Sequence, residues 1–131
     1  MMSNNEEKVF SDYPILLVDD EEHFLHSMFM TLKSAGISNV EKCQDSRKVI
    51  SLLKEKRFSL ILLDILMPYL QGDELLPQIL EEQPDVKVIM LTAVKEVETA
   101  VECLSIGAFD YLVKPIKSSE LIEKVKNALE K

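Results

Sequence analysis

Short aliphatic runs at Ile15–Val18, Leu60–Leu63, Val86–Leu91 and Phe109–Val113, separated by longer segments of helical period, constrain this chain more than any other feature. Such runs are too short for helices and too continuous for strands with one wet face, so they read as strands covered on both faces. A weaker run, Val40–Cys43, has few apolar residues and suits a sheet edge. Between the runs lie amphipathic stripes. Leu25, Met28, Phe29 and Leu32 form the first, and Val49, Ile50, Leu52 and Leu53 the second. Leu75, Leu76, Ile79 and Leu80 form the third, and Val97, Ala100, Val101 and Leu104 the fourth; Leu121, Ile122, Val125, Ala128 and Leu129 form the last. Gly36 and Gly107 stand where helices would end, and Asp45 or Ser46 and then Ser118 where the second and fifth would start. Glu96 and Glu98 fall in the expected first turn of the fourth helix, where the macrodipole favours acids. The predicted order is β-α five times over: an α/β fold with a parallel sheet, helices on both faces and right-handed crossovers.

The 131 residues suit one domain, with residues 1–12 expected as a flexible polar tail and 13–131 as the folded unit. The net charge of −8 argues against direct binding of nucleic acid, whose phosphates require Lys and Arg. No apolar stretch approaches the ~20 residues that cross a bilayer. The opening MMSNNEEK resembles neither a secretory signal nor a mitochondrial targeting helix. Cys43 and Cys103 form no CxxC pair, which favours a reduced, cytoplasmic setting.

Ligands of a parallel α/β sheet bind beyond the carboxyl ends of its strands. There the sequence LILLDILMP places Asp64, next to a low-dielectric interior where an unpaired charge is costly. Strand one ends in Asp19-Asp20, strand four in Thr92, and strand five in Lys114-Pro115. If these strands are neighbours, three carboxylates, a hydroxyl and an ammonium converge. One lysine cannot balance three acids, and oxygen-only ligands favour a hard cation, Mg2+ with Mn2+ as the alternative. Such a site is equipped for phosphoryl chemistry, with a carboxylate as nucleophile.

Each residue also has a plainer reading. Asp19 and Asp20 could cap the first helix, Asp64 a turn; Thr92 could end a strand and Lys114 be solvated. Tyr111 alternates with Phe109 and Val113 as a strand residue does. Joint placement at the strand ends outweighs these readings. His23 and His26 lie three apart on the first helix, but without a further ligand they read as surface histidines.

The segments LLVDDEE, LLDILMPYLQGDELL and VIMLTAVKEVETAVECLSIGAFDYLVKPI resemble the receiver domain of two-component response regulators. The GAFDYLVKPI run and the ETAVE helix are most similar to receivers of NtrC-type, enhancer-dependent transcription regulators. The resemblance implies the flavodoxin-like strand order 2-1-3-4-5. It implies that Asp64 accepts a phosphoryl group from a sensor histidine kinase or phosphotransfer domain. By the same resemblance Asp20 and Asp64 bind Mg2+ directly, Asp19 through water, and the Leu66 backbone carbonyl completes the protein ligands. Lys114 would pair with the phosphoryl group, with a cis peptide before Pro115. Thr92 and Tyr111 would form a switch that reshapes the face made by the fourth helix, fifth strand and fifth helix, which is also a candidate homodimer surface.

Two positions depart from the family pattern. Leu66 and Val94, each two residues past a site residue, are apolar where receivers often carry polar groups beside the path of the hydrolytic water; a long-lived phosphoryl group is expected. Two other classes fit less well. A haloacid-dehalogenase-like phosphatase carries its nucleophile after the first strand, with a second Asp two residues on, a spacing Asp19-Asp20 lacks. A pseudo-receiver would lack site residues that are all present.

Overall fold

In the computed structural model, which describes residues 12–130, five strands alternate with five helices. They are β1 (Ile15–Val18), α1 (Glu22–Ser34), β2 (Val40–Cys43), α2 (Val49–Glu55), β3 (Leu60–Asp64), α3 (Gly72–Glu82), β4 (Lys87–Thr92), α4 (Val97–Ile106), β5 (Asp110–Val113) and α5 (Ser118–Glu130). The sheet is parallel, in the order β2-β1-β3-β4-β5, with β2 at an edge as its polar sequence suggested. The expected tail lies outside the described residues except for Asp12, whose carbonyl accepts a bond from the Asn39 side chain.

Alternation along the strands divides the interior in two. Leu16, Val18, Ile61, Leu63, Val88 and Met90 pack with Val49 and Leu53 of α2, Leu75 and Ile79 of α3, and Ala100 of α4. Ile15, Leu17, Leu60, Leu62, Ile89 and Leu91 pack with Leu25, Met28 and Leu32 of α1 and Leu121 and Val125 of α5. All five residues of β3 are buried, so the strand ending in Asp64 is covered on both faces. Each such aliphatic side chain contributes roughly 1.5–3 kcal/mol on leaving water. This burial anchors the strand ends on which the polar groups sit.

Several boundaries differ from expectation. β3 and β4 are not among them at their carboxyl ends: β3 ends at Asp64, which pairs with Leu91, and β4 at Thr92, which pairs with Val113, as the sequence placed them. Val86 precedes β4 in a turn, its N–H bonded to the Gln83 carbonyl at 3.1 Å. Asp45 caps a short 3-10 turn, Ser46–Lys48, that leads into α2, and its carboxylate accepts the Arg47 N–H. Ser46 instead spends its hydroxyl on the Pro68 carbonyl at 2.7 Å, and accepts the Leu70 N–H. Ser118 is the first residue of α5 rather than the one before it. Glu96 precedes α4 as its N-cap residue, with Glu98 alone of the two in the first turn. Gly36 follows α1 at φ +84°, and the Ile37 N–H reaches back to the Leu32 carbonyl, closing the helix as anticipated.

Candidate functional site

Parallel register puts Val18 opposite Leu63, so the residues that follow, Asp19 and Asp64, emerge side by side from the middle of the sheet. The third participant arrives from β5: Lys114 follows Val113, and the Lys114-Pro115 peptide is cis, as the resemblance implied. Lys114 Nζ donates to Asp19 Oδ2 at 2.9 Å and to Asp64 Oδ1 at 3.2 Å. Asp19 Oδ1 accepts the Glu21 N–H at 3.0 Å. Asp19 is fully buried and Asp64 only 6% exposed, whereas Asp20 is exposed. One carboxylate oxygen from each of Asp19, Asp20 and Asp64 lies within 4.8 Å of the others. Asp19, Asp20, Asp64, Leu66, Ala93 and Lys114 line one open cavity there.

The electrostatics follow from this crowding. Burial, then the Asp19 charge, pushes the Asp64 carboxyl up to about 6, with Lys114 opposing both. Burial also raises Asp19, against its bonds from Glu21 and Lys114. For Lys114, burial disfavours the ammonium, but the two aspartates outweigh it and hold its pKa above the ordinary lysine value. One ammonium therefore leaves excess negative charge among three close carboxylates. The donor set is all oxygen, partly open to solvent on the Asp20 side, and fits a hard divalent cation.

Thr92 ends β4, buried, with its hydroxyl donating to the Ala93 carbonyl at 2.9 Å rather than into the cavity. Tyr111 is half-buried and packs against the core on the α2–α4 side of the sheet. Leu66 and Val94 are exposed, at 44% and 73%. Both histidines are exposed, and among the described residues the one group of three or more candidate metal ligands is the aspartate trio. Cys43 and Cys103 are free and buried, inside the core as small packing residues.

Sequence reasoning missed two features of the site. Gly72 opens α3 directly against the Asp64–Ile65 backbone, its N–H donating to the Ile65 carbonyl at 2.8 Å. Phe24 of α1 lies under Lys114, with Nζ 4.4 Å from the ring centroid. The glycine was visible as part of a motif, though not its close contact. Phe24 carried no signal at all, because nothing in its spacing ties it to a lysine 90 residues on.

Residues 15–126 match the family described as Response regulator receiver domain. The chain belongs to that family. Receiver domains are generally signalling modules rather than enzymes, their role implies phosphorylation-dependent signalling, and they generally bind Mg2+ at an acidic pocket such as the cluster found here. This receiver is 35% identical over 116 residues to the C4-dicarboxylate transport transcriptional regulatory protein DctD of Pseudomonas aeruginosa, covering 88% of this chain and 25% of that protein. It is 35% identical over 115 residues to the transcriptional regulatory protein ZraR of Escherichia coli, covering 88% and 26%. The chain thus spans about a quarter of the length of these two relatives. Transcriptional regulators stand among its relatives, in keeping with the NtrC-type resemblance. The receiver domain of NtrX from Brucella abortus superposes with a TM-score of 0.84 at 30% identity, covering 88% of this chain and 98% of that one. A CheY-like receiver domain protein from Methanospirillum hungatei gives 0.83 at 33%, covering 90% and 94%. Among the described residues no helix is long and apolar enough to cross a membrane.

Proposed function

We propose that this receiver accepts a phosphoryl group on Asp64 from the phosphohistidine of a sensor kinase or phosphotransfer protein in the cytoplasm, and passes the signal through the α4-β5-α5 face. The observation that carries the reading is Lys114 Nζ bonded to both Asp19 and Asp64, residues 95 and 50 positions away in sequence. Asp64 Oδ1 is held by Lys114, which leaves Oδ2 for attack. The Oδ2–P bond forms as the P–N bond of the donor breaks, and the imidazole leaves with the electron pair. At neutral pH a carboxyl near 6 is mostly ionised and ready to attack. Lys114 then follows the charge onto a phosphoryl oxygen. Asp20, Asp64, the Leu66 carbonyl and, through water, Asp19 would hold Mg2+, which supplies charge neutralisation on the transferring oxygens.

The switch follows from spent and freed bonds. Thr92 exchanges its bond to the Ala93 carbonyl for one to the phosphoryl group, and Tyr111 moves further into the space beside it. The exposed Val101 and Leu104 of α4 lie on the face that would change, where an output domain or a second copy would dock.

Intact-mass spectrometry after incubation with acetyl phosphate and Mg2+ tests the acceptor. One phosphoryl group is expected on the native chain and none on Asp64→Asn or after EDTA. Labelling of the variant would place the acceptor elsewhere. The exposed, apolar Leu66 and Val94 also predict slow self-dephosphorylation, since neither can orient a water. Leu66→Asn with Val94→Glu should shorten the phosphoryl lifetime at least about tenfold, about 1.4 kcal/mol in barrier. Decay of the phosphorylated mass over time reads this directly; an unchanged lifetime refutes it.

A further inference from the structure

We infer that Phe24 is a positioning residue for phosphoryl transfer, holding the Lys114 ammonium over Asp64 by its ring face while the anionic partners of that ammonium change. The inference rests on the phosphorylation reading of the site.

An ammonium has three N–H donors. Two go to Asp19 Oδ2 and Asp64 Oδ1, and the ring of Phe24 lies 4.4 Å from Nζ. The backbone that carries the ring is also tied to this site. Phe24 N donates to Glu21 Oε1 at 3.2 Å, and Glu21 N donates to Asp19 Oδ1 at 3.0 Å. Asp19, Glu21, Phe24 and Lys114 therefore form a closed circuit of contacts that returns to Asp19 through the lysine. Phe24 also packs, partly buried, against the α1–α5 core.

The two carboxylates are poor permanent anchors for this lysine. Asp64 turns into an acyl phosphate, and both Asp64 and Asp19 are drawn toward a cation bound among the three aspartates. A neutral ring face has neither problem. It attracts the ammonium through its quadrupole, takes no part in metal ligation, and cancels none of the positive charge that the phosphoryl oxygens need. It also covers part of a side chain that remains 27% exposed, limiting hydration of the charge. Leucine would fill much of the same space but present no such face, so packing and positioning are separable.

The test compares Phe24→Leu with Phe24→Tyr, which keeps the ring. The first readout is binding of beryllofluoride, a phosphoryl mimic, at saturating Mg2+. Phe24→Leu should weaken it about fivefold, and Phe24→Tyr should stay within about twofold of the native chain. The second readout is the NMR shift of the Lys114 ε-methylene protons in the metal-free chain, displaced upfield by the ring in the native protein and in Phe24→Tyr, and returned toward the ordinary lysine position in Phe24→Leu. Equal weakening in both variants, or none in Phe24→Leu, overturns the inference. If the native chain itself fails to bind beryllofluoride, the phosphorylation reading is what fails, and the lysine shift alone still reports whether Phe24 holds Lys114.

Discussion

Replacing Asp64 with asparagine should stabilise the metal-free chain even as it abolishes phosphorylation. Asp64 is 6% exposed and crowded by Asp19, and its carboxyl is raised from 3.8 to about 6 despite the nearby ammonium. A carboxyl whose folded pKa lies above its unfolded one keeps its proton longer in the folded state. Its contribution to stability is thus full below about pH 4 and lost as pH rises toward about 6. At pH 7 the ionised group costs on the order of 3 kcal/mol, from a shift of roughly two pH units at 1.36 kcal/mol each. Asparagine removes that charge yet retains an oxygen for Lys114. Without metal at pH 7.5, Asp64→Asn is expected to gain about 2–3 kcal/mol, or about 10 °C in Tm. The gain should shrink towards pH 4, and added Mg2+ should narrow it further by stabilising the native chain more than the variant. Thermal melts of the two proteins across pH 4–8, with EDTA and with Mg2+, would decide. A variant that melts at or below the native temperature at pH 7.5 in EDTA would show that Lys114 already compensates the charge, and the cost assigned to this site would be wrong.

Gly72→Ala should damage the fold and the site together. Gly72 is the first residue of α3, and its backbone lies against the last residue of β3. A Cβ there would stand 2.9 Å from the Asp64 carbonyl carbon and 3.0 Å from Ile65 Cα, and closer still to the Asp64 carbonyl oxygen. These atoms are backbone at the end of a fully buried strand, so they cannot swing away as a flexible side chain would. Either α3 lifts from the sheet, breaking the Gly72 N–H bond to the Ile65 carbonyl, or the Asp64 backbone moves. Overpacking of this kind costs about 3 kcal/mol. A displacement of about 1 Å at a reacting group can cost on the order of 100-fold in rate. Urea melts and the rate of labelling by acetyl phosphate should therefore fall together in Gly72→Ala. Stability and labelling both within error of the native chain would mean that α3 yields without disturbing Asp64.

Both predictions turn on residues whose types were legible in the sequence and whose contacts were not. Period, run length and cap residues together marked the five strands and five helices, because short unbroken aliphatic runs such as Leu60–Leu63 suit the inside of a two-sided sheet. The same logic sent attention to the carboxyl ends, and Asp19, Asp20, Asp64 and Lys114 do meet there. The strand order 2-1-3-4-5 was implied by resemblance rather than by any local pattern, since neither burial nor period says which strand lies beside which.

What only the tertiary structure decided are the contacts between distant segments: Phe24 under Lys114, Gly72 against Asp64, and Ser46 tied to the Pro68 carbonyl instead of capping its own helix. The physical reason is range. Hydrophobic period and capping preference act over a few residues and can be read along the chain. The partner of an ammonium or the neighbour of an absent Cβ is set by how whole elements pack. Local sequence determined which groups this receiver carries to the edge of its sheet; packing of helices against that sheet decided which of them touch.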